Sequence, residues 1–257
     1  MSECILCQVR RPEKPFYIES VGLNLYSVEE LIYFITQNLP MLDTALVNEE
    51  LIRWIKEELR LKRLAQNLTI LLKQEIRRKD ILLLMFREVG YPDTSMMKRA
   101  LEELEQLEAQ PIHEKIKRKG DVLIRHQRYL KAIEVYRSVL DQKNAADFGA
   151  QYMGILYNNI GYAYAKMFQL EEAVSYFKQS NELIRSRASL KSYLYAVYLK
   201  DGEAVYRKLS EAFRLDPDTA AEMDRELAEL KMPQIPSKPE EAVEEWVKAY
   251  HRSCEAK

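Results

Sequence analysis

The chain has 257 residues, of which 31% are charged and 47% apolar, with only 7 glycines and 9 prolines. That balance excludes a disordered tail, and the shortage of turn formers argues against a strand-rich sandwich or barrel, leaving an all-α protein. A formal net charge of −1 gives no global attraction to nucleic acid or to a membrane surface.

In chain order, residues 4 to 26 come first and differ from the rest. Cys4-Ile-Leu-Cys-Gln-Val9 and Phe16-Tyr-Ile18 are short apolar segments separated by Arg10-Arg-Pro-Glu-Lys-Pro15, a pattern that fits a small β-hairpin or an extended arm. Ser27-Val-Glu-Glu30 supplies a capping box for a helix that ends near Pro40 and carries Leu31, Phe34 and Ile35 at helical spacing. A second helix is predicted from Glu49 to Leu59. A third follows over 61–76, with Leu61, Leu64, Leu68, Leu71 and Leu72 on one stripe. Residues 79–89 form a fourth, stopped by Gly90-Tyr-Pro92, and Asp93 or Thr94 caps a fifth that reaches Ala109. These five amphipathic helices make an N-terminal bundle over residues 1–110.

From residue 113 a repeat sets in. Gly120 is followed twelve residues later by Ala132 and four after that by Tyr136, and Gly161, Ala173 and Phe177 reproduce the spacing. Tyr129 and Leu170 hold equivalent places before the second helix of each unit. Gly and Ala suit positions where two antiparallel helices cross closely, and the aromatic suits the gap to the next hairpin. Tyr157-Asn-Asn-Ile-Gly-Tyr-Ala-Tyr164 followed by Glu171-Glu-Ala-Val-Ser-Tyr-Phe177 resembles the tetratricopeptide repeat. The resemblance covers about a third of the protein, from 113 to 187, and implies a stack of helical hairpins that binds protein or peptide. The glycines lie 41 residues apart, against the 34-residue period of that family, so either the helix after Tyr129 overruns or a longer loop occupies 141–150. A degenerate third hairpin is expected from Leu190 to Leu215 about a turn at Asp201-Gly202, and Pro217 to Leu230 would close the repeat region, 111–231. Residues 232–257 then comprise a proline-rich linker and a last helix carrying Val243, Trp246, Val247 and Tyr250 on one face.

No catalytic constellation accompanies this pattern. The three histidines have no nucleophile in a recognisable motif and the glycines make no phosphate loop, so no enzyme and no cofactor are expected. Cys4-x-x-Cys7 and His251-x-x-Cys254 would give four zinc ligands only if the two ends met; no metal is expected. Apolar runs such as Ile81 to Phe86 are far below the roughly 20 residues of a membrane span. The N-terminal residues show no leader pattern, and three cysteines make no disulfide framework, so a cytoplasmic location is expected.

Charge is distributed unevenly. Residues 111–187 hold 13 basic and 8 acidic side chains, while 1–110 hold 15 and 18, and 188–257 hold 11 and 14. In a tetratricopeptide stack the first helix of each hairpin lines the groove, which assigns Lys117, Asp121, Ile124 and Arg125 to the first hairpin. Asn158, Asn159, Tyr162 and Lys166 belong to the second. One branch of the family grips the terminal carboxylate of chaperones with Lys and Asn. By that resemblance Lys117 and Asn159 match, Arg187 and Lys191 are the third-hairpin candidates, and Asp121 departs by placing a carboxylate where the branch has asparagine. Lys117 equally belongs to the solvated run Lys115 to Lys119. The expected function is a scaffold whose groove takes an acidic segment or the C-terminal carboxylate of a partner. Two alternatives remain open: a transcription regulator with a helical DNA-binding N-terminal domain, and a structural subunit that oligomerises through Trp246 and Tyr250. The −3 balance of residues 1–110 disfavours the first.

Overall fold

A computed structural model describes residues 12–73, 77–89, 93–143, 145–229 and 243–248. The protein divides into two compact units, Met1–Val205 and Tyr206–Lys257. Among the described residues strand occurs only in one hairpin, and helices supply nearly everything else.

In the first unit, β1 (Phe16–Ile18) and β2 (Leu23–Leu25) pair antiparallel with Phe16 opposite Leu25. The turn closes at Gly22, at φ +64°, whose amide donates to the Ile18 carbonyl at 2.7 Å. Phe16 therefore pairs downstream; Cys4–Val9 lies outside the described residues. A tight turn needs few residues, and the Gly22 conformation supplies one.

Ser27 caps α1 (Val28–Gln37) by accepting from the Glu30 amide at 3.1 Å. The Glu30 carboxylate accepts from the Tyr26 amide at 2.6 Å, one residue before the cap, so the reciprocal arm of the box is displaced by one residue. A 3₁₀ turn at Leu39–Met41 follows, started by Pro40, and α2 (Glu49–Glu57) opens on an Asn48 cap. Next come α3 (Lys62–Leu72), α4 (Arg78–Val89) and α5 (Thr94–Glu108). Residues 74–76, the end of the third predicted helix, are outside the described residues. Asp93 caps α5 by accepting the Met96 amide at 2.9 Å, the Ser95 hydroxyl at 2.8 Å and the Ser95 amide at 2.8 Å, and these bonds hold its carboxyl below the usual aspartate range.

Four helices then form two hairpins: α6 (Ile112–Arg125) with α7 (Tyr129–Leu140), and α8 (Ala150–Lys166) with α9 (Leu170–Ile184). α10 (Arg187–Asp201) packs on α9 and touches α8, in the place of a third first-helix. Its start carries a capping box in which Ser186 accepts from the Ser189 amide at 3.1 Å. One core of buried apolar side chains runs from Phe16 to Ala163, crossing residue 110 without a break. Polar links tie the N-terminal elements to the first hairpin. Arg128 Nε donates to the Val21 carbonyl at 2.7 Å, Lys119 Nζ pairs with Asp43 at 2.6 Å, and His126 Nε2 lies 3.3 Å from Asn38 Oδ1.

In the second unit, most of α11 (Glu203–Ala212) and α12 (Pro217–Glu229) are joined by Asp224, which accepts from Tyr206 Oη at 3.1 Å and pairs with Arg207 at 2.7 Å. Residues 243–248 are helical, with Val243, Trp246 and Val247 exposed. Gly202, at φ +83°, ends α10 as the predicted turn.

Candidate functional site

The repeat spacing has a direct packing cause. A Cβ on Gly120 would lie 2.4 Å from the Tyr136 ring, and one on Gly161 would lie 2.9 Å from the Phe177 ring. Ala132 and Ala173 are fully buried. Each aromatic thus rests on the glycine of its own hairpin. Gln127 and Phe168, again 41 residues apart, both adopt the left-handed conformation at φ +57° and +59° between the two helices of their hairpins. The amide after each reaches back to the preceding helix, Arg128 N to Leu123 O at 2.8 Å and Gln169 N to Tyr164 O at 3.0 Å, so the two turns share one C-capping geometry.

The seven extra residues of the period go to a connection and not to an overrun of α7. α7 stops at Leu140, and a 3₁₀ turn over Ala145–Phe148 leads through Gly149, at φ +87°, into α8. Phe148 stacks on His113 with centroids 4.1 Å apart, and Tyr152 Oη donates to the His113 carbonyl at 2.9 Å. The insertion therefore seats the start of α8 on the start of α6.

One carboxylate organises the predicted face. Asp121 accepts from Tyr136 Oη at 2.7 Å, from Asn159 Nδ2 at 3.1 Å and from Lys117 Nζ at 2.8 Å. Burial and then the neighbouring Asp121 charge push the Tyr136 hydroxyl well above the usual tyrosine range, keeping it a donor. Tyr152 is raised by burial first and by Glu114 and Asp121 next. The three predicted residues Lys117, Asp121 and Asn159 are thus brought together, but as partners of one another. Lys117, with only 20% of its side chain exposed, is not the free surface cation that a solvated run implies.

The other predicted residues differ in setting. Arg125 is exposed at the end of α6, and with exposed Arg118 it forms no ion pair among the described residues. Ile124 is half-buried against the core. On α8, Asn158 is half-buried and Tyr162 is exposed, with Lys166 Nζ 6.0 Å from the Tyr162 ring centroid. Arg187 and Lys191 lie in the first turns of α10 and do not join the Asp121 network; Lys191 Nζ sits 5.6 Å from the centroid of Tyr195.

Sequence reasoning missed what faces α6. A cavity of about 590 Å³ is lined by Lys117, Arg118, Asp121 and Arg125 of α6, by Thr36 and Gln37 of α1, and by Glu103 and Gln106 of α5. A second, of about 690 Å³, lies beside it and shares Gln37 and Arg125; its other walls include Leu23, Tyr26, Tyr33, Phe34 and His126. The N-terminal elements thus build one wall of the predicted groove. Burial first, then Arg125 and Arg128, lower the affinity of His126 for a proton. No local signal could have paired residues near 30 with residues near 120.

Among the described residues no group of three or more His, Cys, Asp or Glu is placed to hold a metal ion, and both proposed cysteine–histidine ligand pairs lie outside them. No described helix is long and apolar enough to cross a membrane. No curated protein and no solved structure matches the sequence. The family model of the tetratricopeptide repeat matches residues 155–187, which span most of α8 and all of α9. The chain carries a tetratricopeptide repeat at residues 155–187.

Proposed function

We propose that this protein is a non-catalytic scaffold that recognises another protein through the face shared by α6, α8 and α10, and that the recognised segment is acidic. A tetratricopeptide repeat is a protein-interaction scaffold, and the observation that carries the finer reading is the pairing pattern on that face. Asp121 consumes Lys117 and Asn159, whereas Arg118, Arg125 and Lys166 remain exposed. On α6 and α8 the cations offered to a partner are therefore these three. A terminal carboxylate gripped by Lys117 and Asn159 would have to displace Asp121, so an internal acidic segment fits this face better than a terminus.

The test is capture from native lysate by the full-length protein and by an Arg125→Glu, Lys166→Glu double variant. Both side chains are exposed, so the melting temperature should not move. A partner retained by the parent and lost by the variant, with binding that falls as salt screens charges over about 10 Å at 0.1 M, supports the reading. A partner held equally by both proteins contradicts it.

A further inference from the structure

The two cavities beside α6 differ in chemistry and share a wall. The one lined by Lys117, Arg118 and Arg125 together with Glu103, Glu114 and Asp121 is polar, whereas the one over α1 and the β-hairpin is walled by Leu23, Tyr26, Tyr33 and Phe34. Gln37 and Arg125 line both. Three of the apolar wall's side chains are held open to solvent, Leu23 at 38%, Tyr26 at 36% and Tyr33 at 48% exposure, and they converge on one pocket. At about 690 Å³ the pocket has the size of a ligand site and not of a packing defect. Its frame is fixed: Arg128 holds the hairpin turn, His126 meets Asn38, and the Glu30 carboxylate is taken by the Tyr26 amide. That leaves Arg125 as the exposed charge on the shared rim.

Resting on the acidic-segment reading, we infer that this pocket receives a large apolar side chain of the same partner segment, a few residues from its acidic positions. The partner then carries a composite signature: carboxylates over Arg118 and Arg125, and an aromatic or long aliphatic anchor between the β-hairpin and α1. The exposed guanidinium groups of Arg118 and Arg125 set the polar half and the aromatic wall sets the other. The shared rim at Arg125 sets how close the two must be. A buried apolar anchor flanked by charged contacts is the usual energetic layout of a protein interface.

The probes are four fluorescein-labelled peptides, each with a Trp one to four positions from a Glu-Glu pair and an amidated C-terminus that removes the terminal carboxylate. Each has two controls, Trp replaced by Ser and Glu-Glu replaced by Gln-Gln, and binding to the full-length protein is read by fluorescence anisotropy. At least one Trp peptide should bind about ten-fold or more tightly than both its controls. Tyr33→Ala should reduce that peptide to the level of its Ser control while leaving the Ser control's own affinity unchanged. Amide shifts at Tyr26 and Tyr33 on titration locate the anchor independently of the variant. Trp peptides that bind no better than Ser controls overturn the pocket and leave the acidic groove standing. Gln controls that bind as well as the parent peptides overturn both, as does the absence of any binding at about 1 mM peptide.

Discussion

Replacing Gly120 by Ala tests whether the first hairpin is built as the second one is. The added methyl would sit 2.4 Å from Tyr136 Cε1, about 1 Å inside the 3.5–4.0 Å at which carbon atoms pack. The ring has nowhere to go. Tyr136 is fully buried and its hydroxyl is held by Asp121 at 2.7 Å. Overpacking of this kind costs about 1–3 kcal/mol. Loosening the Tyr136–Asp121 bond adds roughly 1 kcal/mol, and the helix gains about 0.5–1 kcal/mol when Ala replaces Gly. The net is a loss of about 1–3 kcal/mol, or roughly 2–4 °C of melting temperature per kcal/mol for a protein of this size. Gly161→Ala meets Phe177 at 2.9 Å with no hydroxyl anchor, so its loss should be smaller. Thermal unfolding followed by circular dichroism reads both. A Gly120→Ala protein as stable as the parent, or one less affected than Gly161→Ala, refutes the packing described for the α6–α7 hairpin.

Gly22→Ala should destabilise the hairpin twice over, because the site has φ +64° and the new methyl would coincide with the Arg128 guanidinium; a loss of about 1–3 kcal/mol in denaturant melts is expected, and none would show that Arg128 does not clamp this turn. His126 has its pKa lowered from 6.5 by burial and by Arg125 and Arg128. The unfolded state therefore binds its proton more readily, so His126's contribution is full above about 6.5 and is lost as pH falls toward the lowered folded value. Melting temperatures should fall between pH 7.5 and 5.5, less so in His126→Gln, and an identical slope in that variant removes His126 as a cause. Asp121→Asn frees Lys117 while keeping an acceptor for Tyr136; it should cost about 1–2 kcal/mol of stability and strengthen binding of an acidic peptide several-fold, measured by anisotropy. Unchanged or weaker binding would place the ligand away from Lys117.

What the sequence made legible is local. The Ser27 and Asp93 caps mark helix starts, and Gly120, Ala132 and Tyr136 announce their counterparts one period later because each set closes a single hairpin. The placing of Lys117 and Asp121 on one side of α6 was readable for the same reason. Residues whose role depends on distant partners were not. Asp121 reads as a departure from a binding pattern, yet it is the acceptor that joins α6, α7 and α8. Phe148 reads as part of a loop, yet it stacks on His113. The pairing of α1 and the β-hairpin with α6, which makes the two cavities, spans about ninety residues and leaves no periodic trace.

The central claim is that partners bind on the face of α6, α8 and α10. A photo-reactive benzoyl-phenylalanine placed singly at Arg118 or Tyr162 samples that face, and at Ser138 or Lys178 it samples α7 and α9; all four positions are exposed. After irradiation in native lysate, the first two should form a cross-linked product with a common partner and the last two should not. Cross-linking of the same partner from Ser138 or Lys178, with none from Arg118 and Tyr162, would contradict the account.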